Sequence, residues 1–338
     1  MCGKAPPLPR RNQDYSLTAR VRSRQPLRLT RELHAERSSS ACRKHLARGT
    51  DSRLRLVRPY DLAHMRANTH RAHRLAFDRV AGDYHYGRPA FGDGLVESFA
   101  DMTGLVPGDH VIEVGAGTGQ LTMALLRMGL TVTALEPGAA MRAVLADRAG
   151  TTGRLTISAA TFEEFTSEVR FRAVFAANSF HWLDPAGSYR GAADLLDEGG
   201  HLCLLWNHPV VRSDIQHRLN EGVFREHPDF AGDEQPLLAA IRQSAAEGRQ
   251  QLISSGLFGM PWWQWRTEQL DIDVERYVRL LISYANIAML TEDARRAFAD
   301  DVRRELAAIP VAEVPVTNHI YAVVARAISR ERLSRDQT

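Results

Sequence analysis

From residue 111 onward, short uninterrupted apolar runs alternate with stretches whose apolar residues recur every three or four positions. Residues 111–114, 130–135, 155–158, 173–177 and 201–206 read as strands, because unbroken apolar runs of this length suit strands covered on both faces. Between them, Leu121, Leu125 and Met128 share a helical face that Gly129 can end. Residues 139–148 and 185–196 supply two further helices. Earlier, residues 94–103 put Leu95, Phe99 and Met102 on one side of a helix, and Pro107-Gly108-Asp109 turns into the opening strand. Strands alternating with helices of about ten residues predict a parallel, doubly wound α/β sheet. Five strands are complete by residue 206. Residues 208–255 then read as amphipathic helices, and 261–266 as a sixth strand with Trp263 and Trp265 opposite Gln264. Residues 274–285 and 291–308 follow as helices, the latter N-capped by Thr291. Residues 316–328 make the last strand around Val323, Val324 and Ala325.

The first strand runs into Glu113-Val114-Gly115-Ala116-Gly117-Thr118-Gly119, three glycines at alternate positions just before a helix. Such a turn lets a ligand lie against bare main chain, and the helix N-terminus offers unpaired N–H groups. A dinucleotide site would space its glycines G-x-G-x-x-G, which this chain lacks. An acid two residues before the first glycine repels phosphate and suits an ammonium group. The second strand ends in Glu136, 17 residues after Gly119, where a carboxylate can take both hydroxyls of a ribose. Ammonium at one end and ribose at the other describes S-adenosylmethionine.

These residues resemble the class I S-adenosylmethionine-dependent methyltransferases: Glu113 to Gly119 is similar to their first motif and Glu136-Pro137 to their second. The resemblance implies a seven-stranded Rossmann-like sheet with a reversed final hairpin and a helical cap above the methyl group. It extends to Phe77, Tyr84, Tyr86 and the Arg88-Pro89 pair, a segment that in relatives folds over the methionine end of the cofactor. It also implies contacts from Ala116 and Met141, and from Thr161 and Phe162 to adenine, although the aspartate frequent just before them is Ala160 here. Asn178-Ser179-Phe180-His181-Trp182 resembles the signature of a subgroup that includes the trans-aconitate type and many natural-product enzymes; the acid usual before that strand is Arg172. Asn178, Ser179 and Trp182 would then line the cofactor. His181 admits two readings, general base toward the acceptor or hydrogen-bonded pocket wall.

The expected organisation is a basic arm at 1–64, a cofactor-binding core at 65–207, a helical cap at 208–256, completion of the sheet at 257–330 and a tail at 331–338. Residues 1–64 hold 15 Lys and Arg against 5 Asp and Glu, net +10 in a chain of net +3. The arm has little to bury, which predicts disorder, and Met65 is a candidate start. It lacks the apolar core of a secretory signal and the interleaved aromatics of a nucleic-acid platform. No apolar run approaches the ~20 residues of a membrane span. The three cysteines, Cys2, Cys42 and Cys203, support neither a disulfide framework nor a metal cluster, and a cytoplasmic setting is expected. The only lysines are Lys4 and Lys44, which excludes a P-loop or a lysine Schiff base in the folded part. The expected partner is a small-molecule methyl acceptor at O, N or C, with the oligomeric state open. The rivals are a fold relative that uses the cofactor for cyclisation or rearrangement without methyl transfer, and a nucleic-acid module gripping through the arm.

Overall fold

The computed structural model describes residues 76–227, 234–310 and 312–329; the basic arm, Met65 and the 331–338 tail lie outside these. In chain order the elements are α1 (Ala81–Gly87), α2 (Asp93–Thr103), β1 (His110–Val114), α3 (Thr122–Arg127), β2 (Thr131–Leu135), α4 (Ala139–Ala149), β3 (Leu155–Ser158), β4 (Phe171–Ala177), α5 (Pro185–Leu195), β5 (Leu196–Val211), α6 (Ser213–Gly222), α7 (Glu234–Ser254), β6 (Trp262–Ile272), α8 (Val274–Ile282), α9 (Ala285–Ala288), α10 (Glu292–Ala307) and β7 (Val314–Arg326). The seven strands form one sheet in the order β3-β2-β1-β4-β5-β7-β6. β7 runs antiparallel to both of its neighbours, as in Leu204↔Val323 and Trp265↔Tyr321, while β1 to β5 are parallel.

Side-chain alternation explains the layering. Val111, Val132, Ala173, Phe175, Cys203 and Leu205 meet Leu95, Val96 and Phe99 of α2 and Leu125 of α3 on one face. Ile112, Val114, Val174, Ala176, Leu202 and Leu204 meet Ala192 and Leu195 of α5 and Leu252 of α7 on the other. A strand apolar at consecutive positions can satisfy two helical layers at once.

Two expectations change here. β5 does not end at Trp206: it pairs with β7 as far as Val211↔Val316, and β6 continues to Ile272↔Val314. Three long strands thus project past the carboxyl ends of β1, β2 and β4. The second change concerns the cap expected at 208–256. Helix α7 lies along the sheet, with Leu238 and Ile241 on Val210 and Leu252 among the sheet residues. The helices over the strand extension are α6, α8, α9 and α10. Ile215, Leu219, Tyr277, Val278, Leu281, Ile287, Phe298 and Val302 pack there on Val211, Ile272, Val314 and Val316, together with Ala76 and Val80. The helical layer over the strand extension therefore draws most of its helices from after β6. The reason is that β5 and β6 bury their far ends only if those helices cover them, since exposed apolar strand tips would face water.

Candidate active site

The glycine turn, Glu136 and Asn178 come together at the carboxyl ends of β1, β2 and β4, where open α/β sheets carry their sites. The β1–α3 turn is held by the Leu135 carbonyl, which accepts the N–H groups of Gly115 and Ala116 at 2.9 and 3.0 Å, and by the Gly119 N–H donating to the Ala116 carbonyl at 2.9 Å. Gly115 has φ 67°, and a Cβ there would lie 2.6 Å from the Ser179 Cβ. Only glycine satisfies both the left-handed backbone and that approach. At Gly117, φ 59°, the nearest atom to an added Cβ is Tyr84 Cε1 at 3.7 Å, so the loop's bare main chain faces an aromatic ring.

The two acids behave differently. Glu136 Oε2 accepts the Gly117 N–H at 2.8 Å and its Oε1 accepts the Gly138 N–H at 2.7 Å, so its carboxylate bridges the glycine turn and the start of α4. Burial nevertheless raises its pKa, against these hydrogen bonds. Glu113 does not face the loop. It is 1% exposed beneath it, and its Oε2 accepts the Thr122 hydroxyl at 2.6 Å, bracing β1 to the first residue of α3. Burial pushes its pKa up to about 8, partly opposed by the Thr122 hydrogen bond and aided by Glu136. A carboxyl in that setting favours its protonated form.

The segment before α2 is tied over the turn. Asp78 Oδ1 accepts the N–H groups of Ala140 and Met141 at the start of α4, at 2.7 and 3.1 Å. Phe77 touches both Tyr84 and Trp182 edge-on, with centroids 5.8 and 5.9 Å apart. Arg88 donates from Nε to the Ser283 hydroxyl at 2.7 Å and from its terminal nitrogen to the Ser283 carbonyl at 3.0 Å, and its guanidinium lies 5.3 and 4.4 Å from the ring centroids of Tyr84 and Tyr284. Tyr86 turns the other way, donating to Asp273 and covered by Arg279, so it leaves the site. Phe162 belongs to the α5-side core, its ring against Gly191. Thr161 Oγ1 donates to Glu164, closing a local turn, and Met141 is buried beneath the start of α4. The Glu136 and Pro137 carbonyls both accept from Arg142.

At the end of β4, Asn178 takes φ 53°, and its side chain pairs reciprocally with Asn207: its Nδ2 donates to Asn207 Oδ1 at 2.7 Å and its Oδ1 accepts the Asn207 N–H at 3.0 Å. Asn207 Nδ2 donates in turn to the Pro89 carbonyl at 3.2 Å. Ser179 donates to the Val114 carbonyl. His181 Nδ1 accepts the Trp206 indole N–H at 3.1 Å. Indole is a donor only, so a neutral His181 carries its own proton on Nε2.

A family model described as a methyltransferase domain matches residues 112–204. An uncharacterised methyltransferase of Bacillus subtilis is 41% identical over 152 residues, covering 42% of this chain and 70% of that protein. The chain belongs to the class I S-adenosylmethionine-dependent methyltransferases. An uncharacterised methyltransferase of Mycobacterium tuberculosis is 33% identical to it over 152 residues, 45% of this chain and 60% of that protein, so the match spans about three fifths of that relative's length. Among solved structures, an S-adenosylmethionine-dependent methyltransferase from Thiobacillus denitrificans in complex with S-adenosyl-L-homocysteine aligns over 73% of this chain and 97% of its own, at 15% identity and TM-score 0.40.

The residues of this chain fit the cofactor of that family. The Glu136 carboxylate stands beside the open main chain at Gly117, and Tyr84 and Trp182, joined through Phe77, wall that space. Sequence reasoning passed over four contributors. Asp78, Arg142 and Asn207 act through contacts distant in sequence or through main-chain carbonyls, so no local pattern marks them. His208 lay in a segment read as helix. It sits opposite His319 on β7, and burial first, then the nearby His181, Arg88 and His319, pushes its pKa down to about 3. It is a neutral, buried ring in the far half of β5. Among the described residues no cluster of three or more His, Cys, Asp or Glu can hold a metal ion, and no helix is long and apolar enough to cross a membrane.

Proposed function

We propose that this protein transfers the methyl group of S-adenosylmethionine to an O, N or C atom of a small molecule, and that it falls in the subgroup that includes the trans-aconitate type. The observation that carries the reading is the Glu136 carboxylate held between the N–H groups of Gly117 and Gly138. It is a fixed acceptor pair at the place where a ribose diol would exchange for main-chain donors. The subgroup rests on Asn178 to Trp182 alone.

When bound, the cofactor supplies an electrophilic sulfonium methyl and leaves as the thioether. The chain supplies position. Glu136 takes the ribose hydroxyls, and Arg88, oriented by Ser283, offers a cation to the carboxylate end. Phe77, Tyr84 and Trp182 exclude water from the reacting centre. In-line displacement needs nucleophile, carbon and sulfur collinear at near-contact distance, so a rigid wall and an anchored cofactor do most of the work. His181 is a positioning group: its Nδ1 lone pair is committed to Trp206, and a neutral imidazole has no second lone pair with which to abstract a proton. The acceptor enters beside the hydrogen-bonded His181–Trp206 pair, under α6 and α8 to α10.

The test is a screen with methyl-labelled S-adenosylmethionine against small acids, amines, phenols and carbon acids, with product mass read in parallel. Gain of one methyl on one acceptor class supports the reading. Consumption of cofactor without methylated product contradicts it.

A further inference from the structure

β6 is the last strand of the sheet, and among the described residues no strand pairs with its outer side. Edge strands expose a row of unpaired N–H and C=O groups, and proteins commonly blunt them with shortness, lysine, proline or a bulge. β6 has 11 residues, contains neither lysine nor proline, and pairs with β7 in unbroken register from Trp262↔Val324 to Ile272↔Val314. Large apolar side chains collect along it: Trp262 and Trp263 are 42% and 49% exposed, and Met260 just before them is 84% exposed. We propose that β6 pairs antiparallel with β6 of a second copy of this chain, joining two sheets about a two-fold axis through Thr267.

The register follows from geometry and charge. A two-fold axis perpendicular to the sheet keeps each face continuous, so directly opposed residues must lie on the same face and differ by an even number. Full overlap of Trp262–Ile272 satisfies this, with Thr267 opposite Thr267 of the second copy. It sets Arg266 opposite Glu268, twice by symmetry, and Trp262 opposite Ile272. Moving the axis one residue either way puts Arg266 against Arg266 or Glu268 against Glu268, which is destabilising for directly opposed like charges. The longest overlap is therefore also the one that matches opposite charges. Arg266 is exposed and Glu268 half-buried. Arg266 donates to Gln264 within its own strand, and neither charge forms an ion pair with another described residue. The contact is isologous, so it closes at a dimer instead of propagating.

Sedimentation velocity on the full chain at tens of micromolar tests this, independently of any methyl transfer. The wild type should run as a dimer. Arg266→Glu and Glu268→Arg should each weaken association by about tenfold or more, and the protein carrying both substitutions should regain the dimer. Far-UV circular dichroism confirms that each variant is folded. A monomeric wild type overturns the proposal. So does a dimer indifferent to both single substitutions, and so does a failure of the double substitution to restore association.

Discussion

The carboxylate of Glu136, at the end of β2, accepts the main-chain N–H of Gly117 in the neighbouring turn at 2.8 Å. That bond couples the two sequence motifs into one site. Replacing Glu136 by alanine removes a charged acceptor that a ribose diol would use, so S-adenosylhomocysteine affinity should fall by about 1.5 to 3 kcal/mol. Isothermal calorimetry on wild type and variant reads this directly, and equal affinities would detach Glu136 from the cofactor.

Gly115 joins left-handed backbone to a close approach by Ser179. Gly115→Ala should cost about 1 to 2 kcal/mol from the backbone alone, and more from the displaced Ser179. Urea denaturation should show that loss, with Ser179→Gly in the same chain recovering the part due to crowding. A wild-type midpoint for Gly115→Ala would refute the packing described here.

Glu113 makes stability depend on pH. Its folded pKa of about 8 lies above the ordinary carboxylate value of 4.5, so the folded state keeps a proton that the unfolded chain releases. Its contribution is complete below about pH 4.5 and is lost as pH rises through 8, with a slope of at most about 1.4 kcal/mol per pH unit. Glu136, also raised by burial, acts in the same direction. Glu113→Gln keeps an acceptor for Thr122 and should flatten the pH dependence of the urea midpoint between pH 5 and 8. An unchanged slope would mean that Glu113 is ionised in the folded protein.

His181→Ala should lower turnover by about tenfold or less, since a positioning group is lost rather than a base. Removing a general base costs about a hundredfold or more. Turnover measured across pH would separate the two, because the role described here leaves the pH profile unshifted. A hundredfold loss together with the disappearance of a basic limb would restore His181 as the base.

The glycine turn, the glutamate closing the second strand and the alternation of core strands with helices were readable in the sequence; the reversed last strand came only as what the family resemblance implied, and the strand order is a finding of the structure. Backbone geometry fixes the glycines, and burial on two faces writes continuous apolar runs. The far halves of β5 and β6 were not readable. Asn207, His208 and Pro209 interrupt β5 with polar and imino residues, and Glu268 and Asp271 do the same in β6, so a strand whose tip is covered by a separate helical layer looks like a break. The orientation of Glu113 escaped for another reason: its position two residues before Gly115 marks the motif, but which way the carboxyl turns depends on Thr122, nine residues on. The ties from Asp78 to α4, from Arg88 to Ser283 and from Asn207 to Pro89 span 62 to 195 residues, and such pairs leave no local periodicity.

The most direct test of the whole account is titration of S-adenosylhomocysteine into the purified chain, wild type and Glu136→Ala side by side. Saturable binding of one equivalent, weakened at least about tenfold by the substitution, is the predicted result. Absence of uptake at millimolar ligand would contradict it, and so would binding that survives the loss of the carboxylate.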